Sequence, residues 1–429
     1  MSEPARGQTR LSKASDPGAS PSIEVVEDEA GWDALEPVWD ALLVRTPGHT
    51  VFQSYAWLRL WWQAFGAGKA LYILVLRRNS EVVGIAPLQI SQARIWGRSF
   101  RRVELIGMPD EIDRPTCLFP ETATACAMSV LDHLHARRAH WDMLQLDEQI
   151  AGSPLAVAVR DFSAGNGLMF ATTPFHPCPY LELDTTWEAH LAQRSRRLRR
   201  NLRAAKRRLS AAGRLELRRC TTPAEIREHL PRYVALEARS WKPAAGIGIA
   251  RSPDYLAFYE ALARSYGGDG AFHLLLLELD GRPIAGTLAL DWRGVYYSLQ
   301  IAHDGSYDAC SPGTVLEALE LETCFASGAW HEYDFLGGAL NNKLRWTSTV
   351  RPTLCVHAFR KTPRLVLLFV LYFRLKPLVR RLLERAGWLE RVLGWRERLA
   401  GARREAPAGD RARDGIDLSL PAAGRPHDG

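Results

Sequence analysis

Apolar and polar positions alternate with two rhythms along the chain, and each change of rhythm marks an element. Residues 71–88 read LYILVLRRNSEVVGIAPL, and residues 273–290 read HLLLLELDGRPIAGTLAL. Each is an apolar strand, a short polar turn and a second strand, the pattern of a β-hairpin. Asp280-Gly281 is the stronger turn and Asn79-Ser80 the weaker. The two segments align without a gap at an offset of 202 residues, which sets Gly84 opposite Gly286. Upstream of each, residues 55–65 and 255–266 are aromatic-rich and amphipathic at helical spacing, preceded by shorter helical stretches at 35–43 and 230–238. Downstream, a helical stretch ending in Ala139-His140-Trp141 or Gly328-Ala329-Trp330 leads into a strand, MLQLDE or HEYDFL. Two apolar hairpins can match by chance. Matched landmarks in the same order predict two copies of one αβ unit, over residues 24–180 and 181–361.

The segment 295–346 carries the clearest local signals. Residues 296–302 are aromatic and β-branched enough for a buried strand. After a polar loop, Ser311-Pro312-Gly313 opens a helix expected to run to Ser327, since Ser caps helices and Pro at the first position loses no hydrogen bond. Gly328 supplies a left-handed stop, and residues 330–336 return as a strand. Strand, small-residue turn and helix together aim free backbone N–H groups at one point, which suits a phosphate. A well-capped βαβ unit without a ligand explains the same pattern. The first copy has Leu118-Phe119-Pro120-Glu121 at the corresponding place, so its cradle is expected to be lost, leaving the donor to the second copy and the acceptor cleft to the first.

A chain of 429 residues has room for two domains with separate cores. Its seven cysteines form no CxxC pair, so neither a zinc site nor a disulfide framework is expected, and a reducing cytosol fits. Residues 1–22 lack the apolar core of a signal peptide and read as a disordered leader; residues 401–429 read as a disordered tail. The net charge of +7 is concentrated: residues 194–208 hold nine basic residues and no acidic one, and residues 361–398 hold ten basic and three acidic.

The motifs FQSYAWLRLWW (52–62), VGIAPL (83–88), the basic run 196–209, Ser240-Trp241-Lys242, Ser311-Pro312-Gly313, DFLGG (334–338) and Lys343 together resemble the GNAT acetyltransferase superfamily. The similarity is greatest to the branch containing the cellulose-biosynthesis protein CelD, related to the FemAB-type peptidyltransferases. It covers residues 24–361. It implies two tandem GNAT-like acyltransferase domains, α/β with mixed sheets, moving an acyl group, acetyl first among candidates, from a thioester to an amine or hydroxyl. Acyl-CoA is the co-substrate so implied. The phosphate loop is shorter and poorer in glycine than usual for the superfamily, so an acyl carrier protein or aminoacyl-tRNA stays open as donor. The family setting is envelope or exopolysaccharide biosynthesis, with a small-molecule or glycan acceptor.

Direct transfer needs a phosphate grip, an acceptor base, an acid for the thiolate and a group to stabilise the oxyanion. Ser311, Gly313 and Thr314 are the candidates for the grip. Asp334 is read as a base or the orienter of one, the alternative being a strand-end carboxylate tied to backbone amides. By resemblance to FemAB-type relatives, Lys343 is assigned to the oxyanion; a solvated loop lysine is the plain alternative. Tyr307 is the candidate acid, and Trp241 with Lys242 the floor of the acceptor site or a helix-end anchor. His303 and Asp304 are strand neighbours, which point to opposite faces, and are not read as a dyad. Cys310 as an acyl-carrying nucleophile is the weakest candidate. No metal site is expected.

The arginine-rich run lies in a helix expected over 186–212 with charge on every face. A solvated helix explains it. A grip on a polyanion does too, without the interleaved aromatics that sequence-specific nucleic-acid recognition would use. Residues 362–400 follow with an uninterrupted apolar run too short to span a bilayer. Its basic and apolar residues suit an amphipathic helix on an anionic membrane surface, or one packed on the core or a partner. The expectation is a cytoplasmic acyltransferase, peripheral at the inner membrane face. The alternatives are FemAB-like transfer from aminoacyl-tRNA and a non-catalytic scaffold for a polysaccharide synthase.

Overall fold

The computed structural model describes residues 21–385, apart from residues 96, 110, 121, 122 and 339. All but the last two residues of the expected leader, the whole expected tail, and residues 386–400 of the C-terminal segment lie outside the described residues. Two seven-stranded sheets form the frame. The first is built from β1 (Ser22–Val26), β2 (Ala70–Arg78), β3 (Glu81–Ile95), β4 (Arg98–Leu105), β5 (Met143–Ile150) and β6 (Met169–Pro174). The second is built from β7 (Cys178–Glu182), β8 (Leu215–Cys220), β9 (Phe272–Leu279), β10 (Arg282–Trp292), β11 (Val295–His303), β12 (Glu332–Asp334) and β13 (Val350–Arg351). A last strand, β14 (Thr353–Phe359), returns to the first sheet.

The orders are β1-β2-β3-β4-β5-β14-β6 and β8-β9-β10-β11-β12-β7-β13. In each, one parallel pair, β4 with β5 and β11 with β12, sits among antiparallel ones. The repeat read from the sequence is therefore present strand for strand, but the sheets do not follow the chain halves. The sixth position of each sheet breaks the chain order: β14, from the second half, lies between β5 and β6, and β7, which straddles the two halves, lies between β12 and β13. A boundary at 180/181 cuts through β7, and β14, within 181–361, belongs to the first sheet.

The hairpins also refine the repeat. Asn79 and Ser80 have φ of 51° and 67°, and Asp280 and Gly281 have φ of 49° and 79°, so both turns are left-handed. Each second strand then bulges within four residues of the turn, at Val83 and at Ile284. Turn and bulge coincide at an offset of 201, one less than the gapless alignment. The glycines matched in sequence are not matched in space.

Helices α1 (Glu36–Leu43) and α2 (Tyr55–Phe65) cover one face of the first sheet, and α3 (Ala123–Ala136) and α4 (Pro154–Gly165) the other. In the second half α5 (Trp187–Gln193), α6 (Arg196–Ala212), α7 (Pro223–Glu237), α8 (Pro253–Gly267) and α9 (Pro312–Ser327) surround the other sheet. The equivalent helices α2 and α8 pack on each other, Phe65 against Tyr255 and Phe258, and Trp57 against Phe258. One apolar core thus runs through both halves.

The single helix expected over 186–212 is two. The chain breaks at Arg194, and the Ser195 hydroxyl caps α6 by accepting from the Leu198 N–H. Nor does α6 carry charge on every face: Leu198, Leu202, Ala205 and Leu209 are buried against α9. Residues at that spacing share one side of a helix, which the surrounding arginines obscure in the sequence.

Candidate active site

Strands β11 and β12 pair only over Val295–Glu332, Tyr296–Tyr333 and Tyr297–Asp334. β11 continues to His303, whereas the chain after Asp334 turns away through Leu336, at φ 56°, and Gly338, at φ 81°. A left-handed leucine is held only where its surroundings over-determine it. Here the Asp334 carboxylate accepts from the Leu336 N–H at 2.9 Å. The two strands therefore splay, and residues 298–301 of β11 are half-buried.

The open edge of β11 leads through a 3-10 turn, Gly305–Cys310, into α9. Ser311 is left-handed at φ 47° and makes no side-chain cap, so the first-turn N–H groups, which have no partner inside a helix, stay available. A Cβ on Gly313 would stand 3.3 Å from His303 Nδ1, a tight contact that the imidazole would have to yield to. Arg345 Nη1 donates to Thr314 Oγ1 at 2.5 Å, setting a guanidinium beside this turn. Arg345 thus stands beside Thr314, next to Gly313, whereas the Ser311 N–H is already given to the Asp308 carbonyl at 2.9 Å and is not free for a phosphate.

Lys343 lies in a short helix, Asn341–Leu344, after β12. Its ammonium donates to the Gly337 carbonyl at 2.6 Å and the Leu336 carbonyl at 3.1 Å. Burial pushes its pKa below the ordinary lysine value against the attraction of Asp113 and Asp334. It is not the solvated loop lysine. Asp334 is fully buried; Arg114 Nη2 donates to it at 2.5 Å, and Arg351 stands 3.6 Å away. Enclosed this way, with a backbone N–H and two arginines around it, it matches the strand-end carboxylate of the plain alternative and not an exposed base. Arg114 also pairs with Asp113 at 3.0 Å, and its backbone N–H donates to Glu148. Burial raises the Asp113 and Glu148 carboxyls, the latter strongly.

A second polar chain joins the halves. Glu111 accepts from the Tyr259 hydroxyl at 2.5 Å, which accepts from Gln300 Nε2 at 2.9 Å. Gln300 Oε1, on the open edge of β11, accepts from Lys242 at 2.6 Å, and Lys242 also donates to Glu237 at 2.9 Å. Lys242 is thus buried and paired, an anchor and not a surface that meets an acceptor, whereas Trp241 beside it is 54 % exposed. Tyr307 is half-buried in the turn before α9 and packs on the apolar cluster beneath it. His303 and Asp304 part as strand neighbours must: His303 contacts Asp308 at 2.9 Å, while Asp304 accepts from Arg239 and Arg282.

Sequence reasoning missed Glu111, Asp113, Arg114 and Arg345. The first three stand in MPDEIDRP, a run of charges bracketed by prolines, and Arg345 two residues after Lys343. Those were the signals. Among the described residues no group of His, Cys, Asp and Glu is placed to hold a metal, and no two cysteines form a disulfide.

Residues 196–344 match the family model of the acetyltransferase (GNAT) domain. The match begins at α6 and ends one residue after Lys343, so it contains the splay and the start of α9. This part of the chain is similar to a GNAT acetyltransferase domain. The solved structure of FemX aligns with 77 % of this chain and 98 % of its own, at a TM-score of 0.53 and 13 % identity, and shares its fold. L-PGS from Bacillus licheniformis aligns more loosely, at a TM-score of 0.45 and 13 % identity over 83 % of this chain and 98 % of its own. A tandem GNAT protein from the clavulanic acid biosynthesis pathway aligns at 0.45 and 15 % identity over 79 % of this chain and 98 % of its own. No curated protein matches the sequence.

Proposed function

We propose that this GNAT-like domain takes an acyl group, acetyl in the simplest case, from coenzyme A to an amine or hydroxyl acceptor. The parting of β11 from β12 beyond Tyr297 and Asp334 supports this most. A pantetheine arm laid along the open edge of β11 would bring its phosphates to Gly313, Thr314 and Arg345, and its thioester toward Lys343. The acceptor lone pair attacks the carbonyl carbon, and Lys343 stabilises the oxyanion. Collapse breaks the C–S bond, and Tyr307 gives its proton to the departing thiolate. Glu111, tied through Tyr259 to Gln300, receives the acceptor's proton, while Asp334 holds the loop that carries Lys343. Trp241 offers an apolar platform to a small-molecule or glycan acceptor, and envelope or exopolysaccharide synthesis is the setting the family resemblance suggests.

One observation favours a bulkier donor. Arg196, Arg200, Arg203 and Arg207 form an exposed stripe on α6, which packs beside α9 and the turn before it. Such a stripe suits the acidic surface of an acyl carrier protein or the backbone of an aminoacyl-tRNA. Thermal-shift titrations with acetyl-CoA, acyl carrier protein and aminoacyl-tRNA, with thiol release followed in parallel, decide between them. Stabilisation and thiol release with acetyl-CoA support the first reading; a response to aminoacyl-tRNA alone replaces it.

A further inference from the structure

After β14 the chain forms one continuous helical path over residues 363–385: an α-helix Pro363–Phe369, a π segment Val370–Leu375, and an α-helix Lys376–Arg385. Its inner side is accounted for. Leu365, Leu368 and Phe369 are buried, and with Phe373 they pack on Ile95, Phe100, Met143 and Phe359 at the end of the first sheet. The outer side is not. Val366, Leu367 and Val370 before the π segment, and Leu378, Val379 and Leu382 after it, are exposed, Leu367 by 60 % and Leu382 by 55 %. With Leu375 they make up seven of the thirteen exposed large apolar residues among those described.

The π segment is what joins them into one stripe. At about 100° per residue, Leu378, Val379 and Leu382 would be rotated well away from Val366 and Val370 in an uninterrupted α-helix. A π turn sets the following residues back by about one position, and all seven then fall within an arc of roughly 120°. Pro377 explains why the wide turn lies there: it has no N–H for the carbonyl of residue 373, and its ring needs room in the preceding turn. Arg374, Arg381 and Arg385, all exposed, run along one border of the stripe. No helix among the described residues is long and apolar enough to cross a membrane.

A helix with one side on the protein, an apolar stripe outward and arginines along its border fits the interface plane of a bilayer. We propose that residues 363–385 dock the protein, without spanning, on a membrane carrying anionic phospholipid. The apolar stripe enters the acyl boundary while Arg374, Arg381 and Arg385 meet the headgroup phosphates. The inference stands apart from the choice of acyl donor.

Cosedimentation of the full chain with phosphatidylglycerol-containing and with pure phosphatidylcholine vesicles, at low and high salt, tests it. The expected result is binding to the anionic vesicles that salt weakens. The triple variant Leu367→Glu/Leu378→Glu/Leu382→Glu should bind at least about tenfold more weakly, and Arg374→Glu/Arg381→Glu/Arg385→Glu should lose the preference for anionic lipid. All six positions are exposed, and an unchanged melting temperature verifies that the variants fold. No binding of the wild type to anionic vesicles overturns the proposal, as does equal binding of the apolar triple variant. A wild-type dimer in light scattering that the triple variant dissociates, with no vesicle binding, assigns the stripe to a second copy of the chain instead.

Discussion

Arg114 and Asp334 are 220 residues apart in sequence and 2.5 Å apart in space, and their ion pair ties the first-half loop to the strand where the second sheet opens. Both side chains are buried, so neither charge has water to fall back on. Removing the arginine leaves Asp334 and Asp113 enclosed without their nearest cation, with only the more distant Arg351 and Lys343 to offset them. Arg114→Met is therefore expected to destabilise the fold by about 3–5 kcal/mol. Arg114→Met/Asp334→Asn should lose less than the sum of the single variants. Urea unfolding of the four proteins measures both; an additive pair would mean that the two groups do not depend on each other.

Glu320 on α9 gives a pH dependence that is independent of catalysis. The Tyr296 and Tyr333 hydroxyls donate to its two oxygens at 3.0 Å each, yet burial pushes its pKa up to about 7 from an ordinary 4.5. The folded chain then holds a proton that the unfolded chain has released, so its contribution is complete below about pH 4.5 and is lost as pH rises to about 7. The full effect is on the order of 3 kcal/mol. Glu320→Gln keeps the shape without the charge. Melting temperatures from pH 5 to 8 should fall for the wild type and stay flatter for the variant; parallel curves would contradict the shift.

Lys343 is expected to act on turnover. A cation that stabilises charge formed only in the transition state leaves ground-state binding nearly unchanged. Lys343→Met should lower kcat by about a hundredfold with little change in KM. A rise in KM alone would make Lys343 a binding residue. Because its ammonium also holds the Leu336 and Gly337 carbonyls, Lys343→Arg serves as the control that keeps a cation there.

The legible parts of this molecule are the local ones. The hairpins, α2, α8, α9 with its Ser-Pro-Gly start, and the stop at Gly328 each follow from residues within a turn or two of one another. The exchange of β7 and β14 was not legible, because a short apolar strand carries no record of which sheet completes its pairing. Glu111, Asp113 and Arg114 were hidden for a similar reason: their partners, Tyr259 and Asp334, are supplied by the other half of the chain. Lys242 kept two readings, acceptor floor or helix-end anchor, because only its spatial partners Glu237 and Gln300 decide for the anchor. On α6 the apolar face was present in the sequence but outnumbered by arginine. The turns at Asn79-Ser80 and Asp280-Gly281, with the bulge that follows each, set the repeat at 201, which a match of apolar letters at 202 misses by one residue.

The central claim is that a thioester carrier's phosphates rest on the first turn of α9. Gly313 is the position that tests it, since a side chain there meets His303 and an acidic one also repels an anion. Calorimetric titration of acetyl-CoA into the wild type and into Gly313→Asp, with melting curves to verify that both are folded, is the direct measurement. The account predicts saturable binding to the wild type and affinity weaker by more than about tenfold in the variant, a difference of about 1.4 kcal/mol or more. Equal affinity in the two proteins, or no binding to the wild type, would contradict it.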